Sequence, residues 1–441
     1  MGDFLYNLFG SWMPGWLAML LGHLITIVVV MVAAVGTMML QVWMERRVVA
    51  RMQDRIGPNR VGPAGLLQSV ADGVKMFTKE DIVPRAADRW VHLLAPAVAT
   101  GPVMAIFAVV PWARGLTPSM LEHGVLFALA ISSISAIGLM MAGWSSNNKF
   151  ALLGAMRAVA QLISYEIPGV LAVVAVVLVS GTMVLGRLPE LQAGVPVLGS
   201  TTGLDLGLGW YVFTPVGLLG FAIFFACALA EGERTPFDIP EADSEIVAGH
   251  TTEYSGMKFA LFYVGQYVLN FVLAMLSANI FLGGWQGPGV AALAAIGGNT
   301  GAIAAALLSL VYLLLKTWIM FFVMIWLRGA LPRLRVDQLM NFAWKFLLPL
   351  ALLNLLSAAL WVAVMRWGSS PEWTAALFVP GVGVSALGWL EQASPLTRQV
   401  AALVVTGVIT VVAVRWMFAI HGPEPESAAD EPALQASGVV G

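Results

Sequence analysis

Trp16-Leu-Ala-Met-Leu-Leu-Gly-His-Leu-Ile-Thr-Ile-Val-Val-Val-Met-Val-Ala-Ala-Val-Gly-Thr-Met-Met-Leu-Gln-Val-Trp43 decides the fold. Its 28 residues include no Asp, Glu, Lys or Arg, and a bilayer needs about 20 predominantly apolar residues in a helix. The run is longer than the membrane is thick, so the helix is expected to tilt. Eight more runs share its character, at 91–112, 124–144, 159–184, 210–230, 259–282, 302–327, 346–364 and 400–420. Over all 441 residues, 59% are hydrophobic and 11% charged, where a soluble domain carries about 25% charge. Composition therefore excludes a soluble globular protein. It specifies an all-α, polytopic membrane protein with about nine transmembrane helices.

Charge gives the expected orientation. The loops after the first, third, fifth and seventh runs hold 17 of the 23 Lys and Arg residues, and the opposite loops hold four: Arg114, Arg187, Arg366 and Arg398. Basic loops stay cytoplasmic, so the N-terminus is expected outside and the C-terminus, after a ninth span, in the cytoplasm. The first 45 residues carry no Lys or Arg, so the basic start of a cleavable signal peptide is not expected. A single cysteine, Cys227, leaves no internal disulfide and no iron–sulfur cluster held by this chain alone. The five histidines (His23, His92, His123, His250 and His421) are scattered, and no glycine-rich dinucleotide fingerprint opens a helix. No metal site and no resident redox centre are expected. If the chain takes part in electron transfer, a partner supplies the electrons.

The cytoplasmic loops carry the motifs. Beyond Trp43, Arg47, Arg51 and Arg55 recur every four residues and would share a face if the helix continued. Such a face suits anionic lipid head groups, or docking to an acidic surface. Two Gly-Pro pairs then stiffen residues 57–63. Leu66, Val70, Val74 and Phe77 follow as an apolar stripe opposite Asp72, Lys75 and Lys79, which reads as an amphipathic helix lying in the interface. Loop and helix together could frame an opening for a lipid-soluble molecule, or could simply pack.

Between two of the apolar runs lies a polar island, Glu231-Gly-Glu-Arg-Thr-Pro-Phe-Asp-Ile-Pro-Glu-Ala-Asp-Ser-Glu-Ile-Val-Ala-Gly-His-Thr-Thr-Glu253-Tyr. It holds seven of the 25 acids against one arginine, Arg234. Asp238, Pro240 and Glu241 read as a helix start with a capping partner. Glu241 and Glu245 then fall on one face, where like charges resist ionising together. Charge runs are often only solvated faces. Acids packed this closely between two spans more often mark an ion path or polar cavity.

Two charges lie deep inside apolar runs, and a third, Arg415, stands at the inner end of the ninth. Glu166 sits about two turns into the fourth run beside Pro168, which removes a backbone donor. Lys316 interrupts the seventh, too far from the cytoplasmic end for easy snorkelling, so a carboxylate partner is expected in Glu166 or the acidic loop. Residues 368–397 are rich in Gly, Pro and Ser, and 421–441 form an acidic, proline-bearing tail expected to be disordered. No internal repeat suggests an inverted-topology transporter.

Four blocks, in order, resemble one family. They are Glu45-Arg-Arg with Gly57-Pro-Asn-Arg-Val-Gly-Pro and Ala71-Asp; Ser146-Asn-Asn-Lys-Phe with Arg157-Ala-Val-Ala-Gln and Ser164-Tyr-Glu; Arg234-Thr-Pro-Phe-Asp through Glu253-Tyr-Ser-Gly; and Pro332-Arg-Leu-Arg-Val-Asp-Gln-Leu-Met with Trp344-Lys. In sequence and in register, across about residues 40–350, they are similar to one membrane-subunit family of proton-pumping NADH:quinone oxidoreductase, respiratory complex I. The mitochondrial member of that family is NADH dehydrogenase subunit 1.

The resemblance implies a core over 1–364 with cytoplasmic loops at 44–90, 145–158, 231–258 and 328–345, an extension over 365–420 with the ninth span, and the tail. It implies a quinone chamber involving Arg47, Arg55, Arg234, Phe237 and Asp238. It implies a proton path through Glu231, Glu241, Asp243, Glu245, Glu253 and Glu166, to which Lys316 is added as a buried lysine. Quinone would be a substrate, with flavin and iron–sulfur clusters on other subunits. Implied partners are the hydrophilic quinone-site subunits bearing the terminal cluster, small membrane subunits, antiporter-like subunits and lipid, with no nucleic acid. The setting would be the bacterial inner membrane, and the chain would be catalytic only within the assembly.

Three residues depart from the family pattern. Gln266 stands where Glu is usual, His250 where Phe is usual, and Asp243 where Glu is usual. An amide carries no titratable proton, so a step at 266 would pass through water or a neighbour such as Glu253. Two rival readings are a membrane anchor of a related hydrogenase or other non-NADH donor complex, and a stand-alone cation/proton antiporter. The second leaves the long basic loops unexplained.

Overall fold

A computed structural model describes residues 15–192, 209–239, 247–296, 298–366 and 395–421. Among them the chain is helical and forms no β-strand. The first helix, α1 (Gly15–Met52), buries Ala18, Gly22, Thr26, Val30 and Ala34. That four-residue spacing is one stripe of small and branched residues against the bundle, leaving the other faces of α1 to lipid. The interfacial helix α2 (Gln68–Thr78) follows, then α3 (Arg89–Val109), α4 (Gly124–Ser145) and α5 (Lys149–Ser180). The second half holds α6 (Pro215–Glu231), α7 (Gly256–Phe281) and α8 (Gly298–Ala330). It closes with α9 (Leu348–Arg366) and α10 (Pro395–His421).

Among the described residues eight helices are long and apolar enough to cross a bilayer, and α6, at 17 residues, is a shorter apolar ninth. Helix α7 is the hub. Every residue from Val268 to Phe281 is buried, as expected of a helix that is apolar all round. The ninth span belongs to the same bundle. Ala402 on α10 packs with Val216, Ala358 and Trp361, and Phe418 meets Phe346 with ring centroids 5.6 Å apart.

Helices overrun their apolar runs. Helix α1 continues nine residues beyond Trp43, which buries Glu45 rather than leaving it in a loop. Helix α5 starts at Lys149, capped by the Asn148 side chain accepting from the Phe150 N–H at 3.0 Å, and passes through Pro168 unbroken. The 328–345 loop is largely helical too: Val336–Asn341 leads through a π turn, Phe342–Leu347, into α9.

One expectation fails at the end of α1. Arg55 does not share the face of Arg47 and Arg51, because the helix stops at Met52. The N–H of Arg55 returns to the carbonyl of Ala50 at 2.9 Å and that of Asp54 to Arg51 at 3.3 Å, with Asp54 left-handed at φ 52°. This double closure is a Schellman end, and it turns the exposed Arg55 onto Gln53 (Nε to Oε1, 2.8 Å).

The Gly-Pro loop folds back on α1. Trp43 donates from Nε1 to Ala64 O at 3.1 Å. Gly65, at φ 77°, lies so close to Pro58 that a Cβ would stand 2.2 Å from its carbonyl oxygen. Helix α2 is tied down by Ser69 Oγ donating to Met39 O (3.0 Å) and by Arg46 against Asp72 (2.6 Å). Its apolar stripe is open, with Phe77 72% exposed, as an interfacial helix requires. Burial works to raise the Asp72 pKa, but the hydrogen bond and charge of Arg46 hold it below the ordinary aspartate value.

Candidate functional site: a wettable line of carboxylates beneath a buried ion-pair cluster

The polar centre begins where α6 ends. The N–H of Arg234 closes on Leu229 O at 3.1 Å and that of Glu233 on Ala230 O at 3.2 Å, the same double closure as at α1. The left-handed position, where glycine is the favoured residue, is held by Glu233 at φ 51°. A non-glycine residue there costs about 1–2 kcal/mol. Such local strain concentrates at functional sites.

Three neighbours fix the turn. The Gln161 amide on α5 donates from Nε2 to both Ala230 O (2.8 Å) and Phe237 O (2.7 Å), clamping the two ends of the loop. Asn270 on α7 donates to Gly232 O at 3.2 Å, and a Cβ at 232 would fall 1.9 Å from its Oδ1, so only glycine fits this approach. Arg234 is 5% exposed and gives Nη1 to both oxygens of the buried Glu45, at 2.9 and 2.7 Å. Its guanidinium lies 4.4 Å from the Tyr267 ring centre, a placement that favours a cation. Arg328 of α8 donates to the same Glu45 carboxylate. One carboxylate therefore joins α1, α8 and the acidic turn.

Two cavities open beside this cluster. One has about 40 Å³ of room for water centres and is lined by Glu231, Glu233, His250, Gln266 and Ser135 among apolar neighbours of α3, α4, α5 and α7. The other has about 20 Å³ and is lined by Glu231, Ser132 and Glu166 among others. A water needs roughly 10–15 Å³ by this measure and polar partners, so both can hold water. Glu231 borders both. The Gln266 amide donates to Glu233 Oε2 at 3.2 Å, Ser132 hydrogen-bonds Glu231, and Ser133 donates to Glu166. Gln161 is level with Ala230, so Glu166, five residues further along α5, lies about 7 Å deeper by helical rise.

The sequence-derived residues divide accordingly. Glu231 and Glu166 come together. Arg234 and Phe237 lie on the turn, with Phe237 packed on Tyr165 (5.2 Å) and Phe342 (6.4 Å). Asp238 faces Arg333 at 3.4 Å. Arg47 stacks on Trp43 at 5.4 Å. Glu253 stands apart from the cavities, accepting from the N-cap Asn148 Nδ2 at 2.7 Å. Glu241, Asp243 and Glu245, with the expected helix start, lie outside the described residues.

Lys316 overturns its expected pairing. Its ammonium donates to three carbonyls, Leu282 (2.7 Å), Gly284 (2.9 Å) and Gln286 (2.6 Å), and sits 4.3 Å from the Trp210 ring centre. Twelve residues of α8, about 18 Å of helix, separate it from Arg328 and the acidic turn. Sequence reasoning misses Glu45, Glu233 and Tyr267 as site residues, and it marks Arg328 only as a basic loop residue. The available signal is Glu45 within a helix able to continue past Trp43.

Among the described residues no three His, Cys, Asp or Glu side chains converge as a metal site. The carboxylates and cavity water can take up, hold and release protons. The Arg–Glu–Arg cluster can hold the turn in one position.

Fold and site define a polytopic α-helical membrane protein with a carboxylate-lined, wettable interior. The family model described as NADH dehydrogenase matches residues 25–359, and the chain belongs to that family. Among its curated relatives are the H-type subunits of NADH-quinone oxidoreductase from Dehalococcoides mccartyi strains CBDB1 and ATCC BAA-2266 / KCTC 15142 / 195. Each is 44% identical over 338 residues, which cover 76% of this chain and 86% of the relative. The matched span ends before α10.

Proposed function

We propose that this chain is the membrane subunit of a complex I-type NADH:quinone oxidoreductase, where it walls the quinone-access chamber and couples quinone reduction to proton translocation. One observation carries the reading: Glu231 borders both wettable cavities, so Glu233, Glu231 and Glu166 form a descending line from the cytoplasmic turn into the bundle. On the chamber side, Arg47, Arg55, Arg234, Phe237 and Asp238 meet quinone or support the residues that do. Glu241, Asp243, Glu245 and Glu253 feed the line. Because Arg234 and Glu233 are adjacent on one strained turn, a change of charge at the quinone alters the environment of the first carboxylate. Coupling is that dependence of one site on another.

Electrons come from NADH through flavin and iron–sulfur clusters on partner subunits, and this chain is not catalytic alone. Its partners are the hydrophilic quinone-site subunits, small membrane subunits and antiporter-like subunits. It lies in the bacterial inner membrane with its N-terminus outside and its C-terminus in the cytoplasm. The test is Glu231→Gln in the assembled complex, assayed in inverted membrane vesicles. Quinone reduction and proton uptake should fall together while assembly persists; wild-type coupled turnover would remove Glu231 from the path.

A further inference from the structure

The first cavity contains a group that the carboxylate line does not use. His250 sits on the short 3-10 turn Gly249–Thr251, is 2% exposed, and lines the cavity together with Glu231, Glu233 and Gln266. Among the described residues its Nδ1 has no hydrogen-bond partner, and a buried imidazole nitrogen ordinarily has one. The ring is positioned, not loose. Phe262 presents an edge contact at 5.4 Å. Gly154 of α5 lets the turn approach so closely that a Cβ there would stand 2.5 Å from the Gly249 Cα and 2.9 Å from the His250 backbone nitrogen. A placed, unsatisfied nitrogen beside wettable space is matched to water.

Gln266, the polar side chain that α7 places in the cavity, donates to Glu233 but has no proton to pass on. A neutral imidazole can accept a proton at one nitrogen and release one from the other. We infer that His250 is a proton-relay residue of this cavity, passing protons between Glu233 and Glu231 through cavity water, a step Gln266 cannot perform. The inference rests on the proton-path reading above. In the step, the Glu233 carboxyl gives its proton through water to one ring nitrogen, and the other ring nitrogen gives its own to Glu231. The imidazole is neutral before and after with its tautomer exchanged, and one proton has moved. Water that takes the proton from one ring nitrogen and delivers one to the other restores the first tautomer with no net proton moved. Burial pushes the pKa of His250 down to about 4, which keeps the ring in the neutral form that the step uses.

The experiment compares four changes in the assembled complex: His250→Phe, His250→Gln, His250→Phe with Gln266→Glu, and Glu231→Gln. NADH-driven quinone reduction, proton uptake by vesicles and complex yield on native gels are the readouts. Both single His250 variants should slow coupled turnover by about 10²-fold or more, the contribution typical of a proton-transfer group. Gln266→Glu should restore the His250→Phe enzyme to within about twofold, because it puts a titratable group back into the same cavity. Normal turnover of His250→Gln would mean that a hydrogen bond suffices and would overturn the relay. So would a double variant as slow as His250→Phe, or failure of all the His250 variants to assemble. If Glu231→Gln is slow while the His250 variants are normal, only the histidine inference is lost. If Glu231→Gln is normal, the path itself is lost.

Discussion

Arg234 gives a single terminal nitrogen to both oxygens of Glu45, at 2.9 and 2.7 Å, across 189 residues of sequence. The two side chains are only 5% and 8% exposed, so their worth is not that of a surface pair. Removing one member of a buried pair strands the other charge and costs about 3–5 kcal/mol. Glu45→Ala should therefore lower the thermal midpoint and yield of the complex more than Asp72→Ala, which breaks the exposed contact with Arg46. Thermal scanning of the purified complexes decides it. Equal midpoints for the two variants would show that Glu45 does not hold the acidic turn.

Glu233 offers a test of strain against function. At φ 51° it occupies a position where glycine is at home. Glu233→Gly relieves a backbone cost of about 1–2 kcal/mol, whereas Glu233→Ala keeps it, and both delete the carboxylate. The glycine variant should assemble better than the alanine variant while pumping just as poorly. Matching yields for the two would deny that the turn is strained, and a pumping glycine variant would deny the carboxylate its role.

His250 gives a pH signature in stability. Its pKa in the folded protein, about 4, lies below the ordinary histidine value of 6.5 because burial disfavours the charged ring. Between those values the unfolded chain binds the proton and the native state does not. The resulting stability is present above pH 6.5 and is lost as pH falls toward 4. Each unit is worth about 1.4 kcal/mol, so the whole loss is on the order of 3 kcal/mol. The midpoint difference between wild type and His250→Phe should be flat above neutrality and shift against wild type below it. A difference that does not change with pH would contradict a buried neutral imidazole.

Much of this is legible in the sequence because the bilayer is a strict solvent. Runs such as 16–43 must be helices when no water satisfies their backbone, and charges such as Glu166 inside a run must face the interior. What hydropathy does not mark is where a helix stops. Glu45 reads as a loop residue because apolarity ends at Trp43, yet the backbone bonds of α1 continue to Met52 and carry Glu45 into the core. Arg55 fails for the same reason in reverse, since the Schellman closure at Asp54 has no hydrophobic signal. Glu233 and Gln266 meet where Asn270 of α7 holds the turn through Gly232 O, a contact with no local pattern.

Lys316 is where reasoning by charge alone misleads, and it supplies the last test. A lysine inside a span suggests a carboxylate partner, but three backbone carbonyls of the segment after α7 take its three donors. That segment leaves its helix within the bundle, with Gly283 and Gly284 left-handed, so its carbonyls need donors that water would otherwise supply. An ammonium offers three and an amide two. Each buried carbonyl left unsatisfied costs about 1–3 kcal/mol. The thermal midpoint should therefore fall in the order wild type, Lys316→Gln, Lys316→Met. Protons moved per electron in whatever complex assembles should hold steady, because about 18 Å of helix separates Lys316 from the acidic turn. If Lys316→Gln instead melts like wild type and its pumping collapses, the lysine belongs to the proton path and its carbonyl anchorage is secondary.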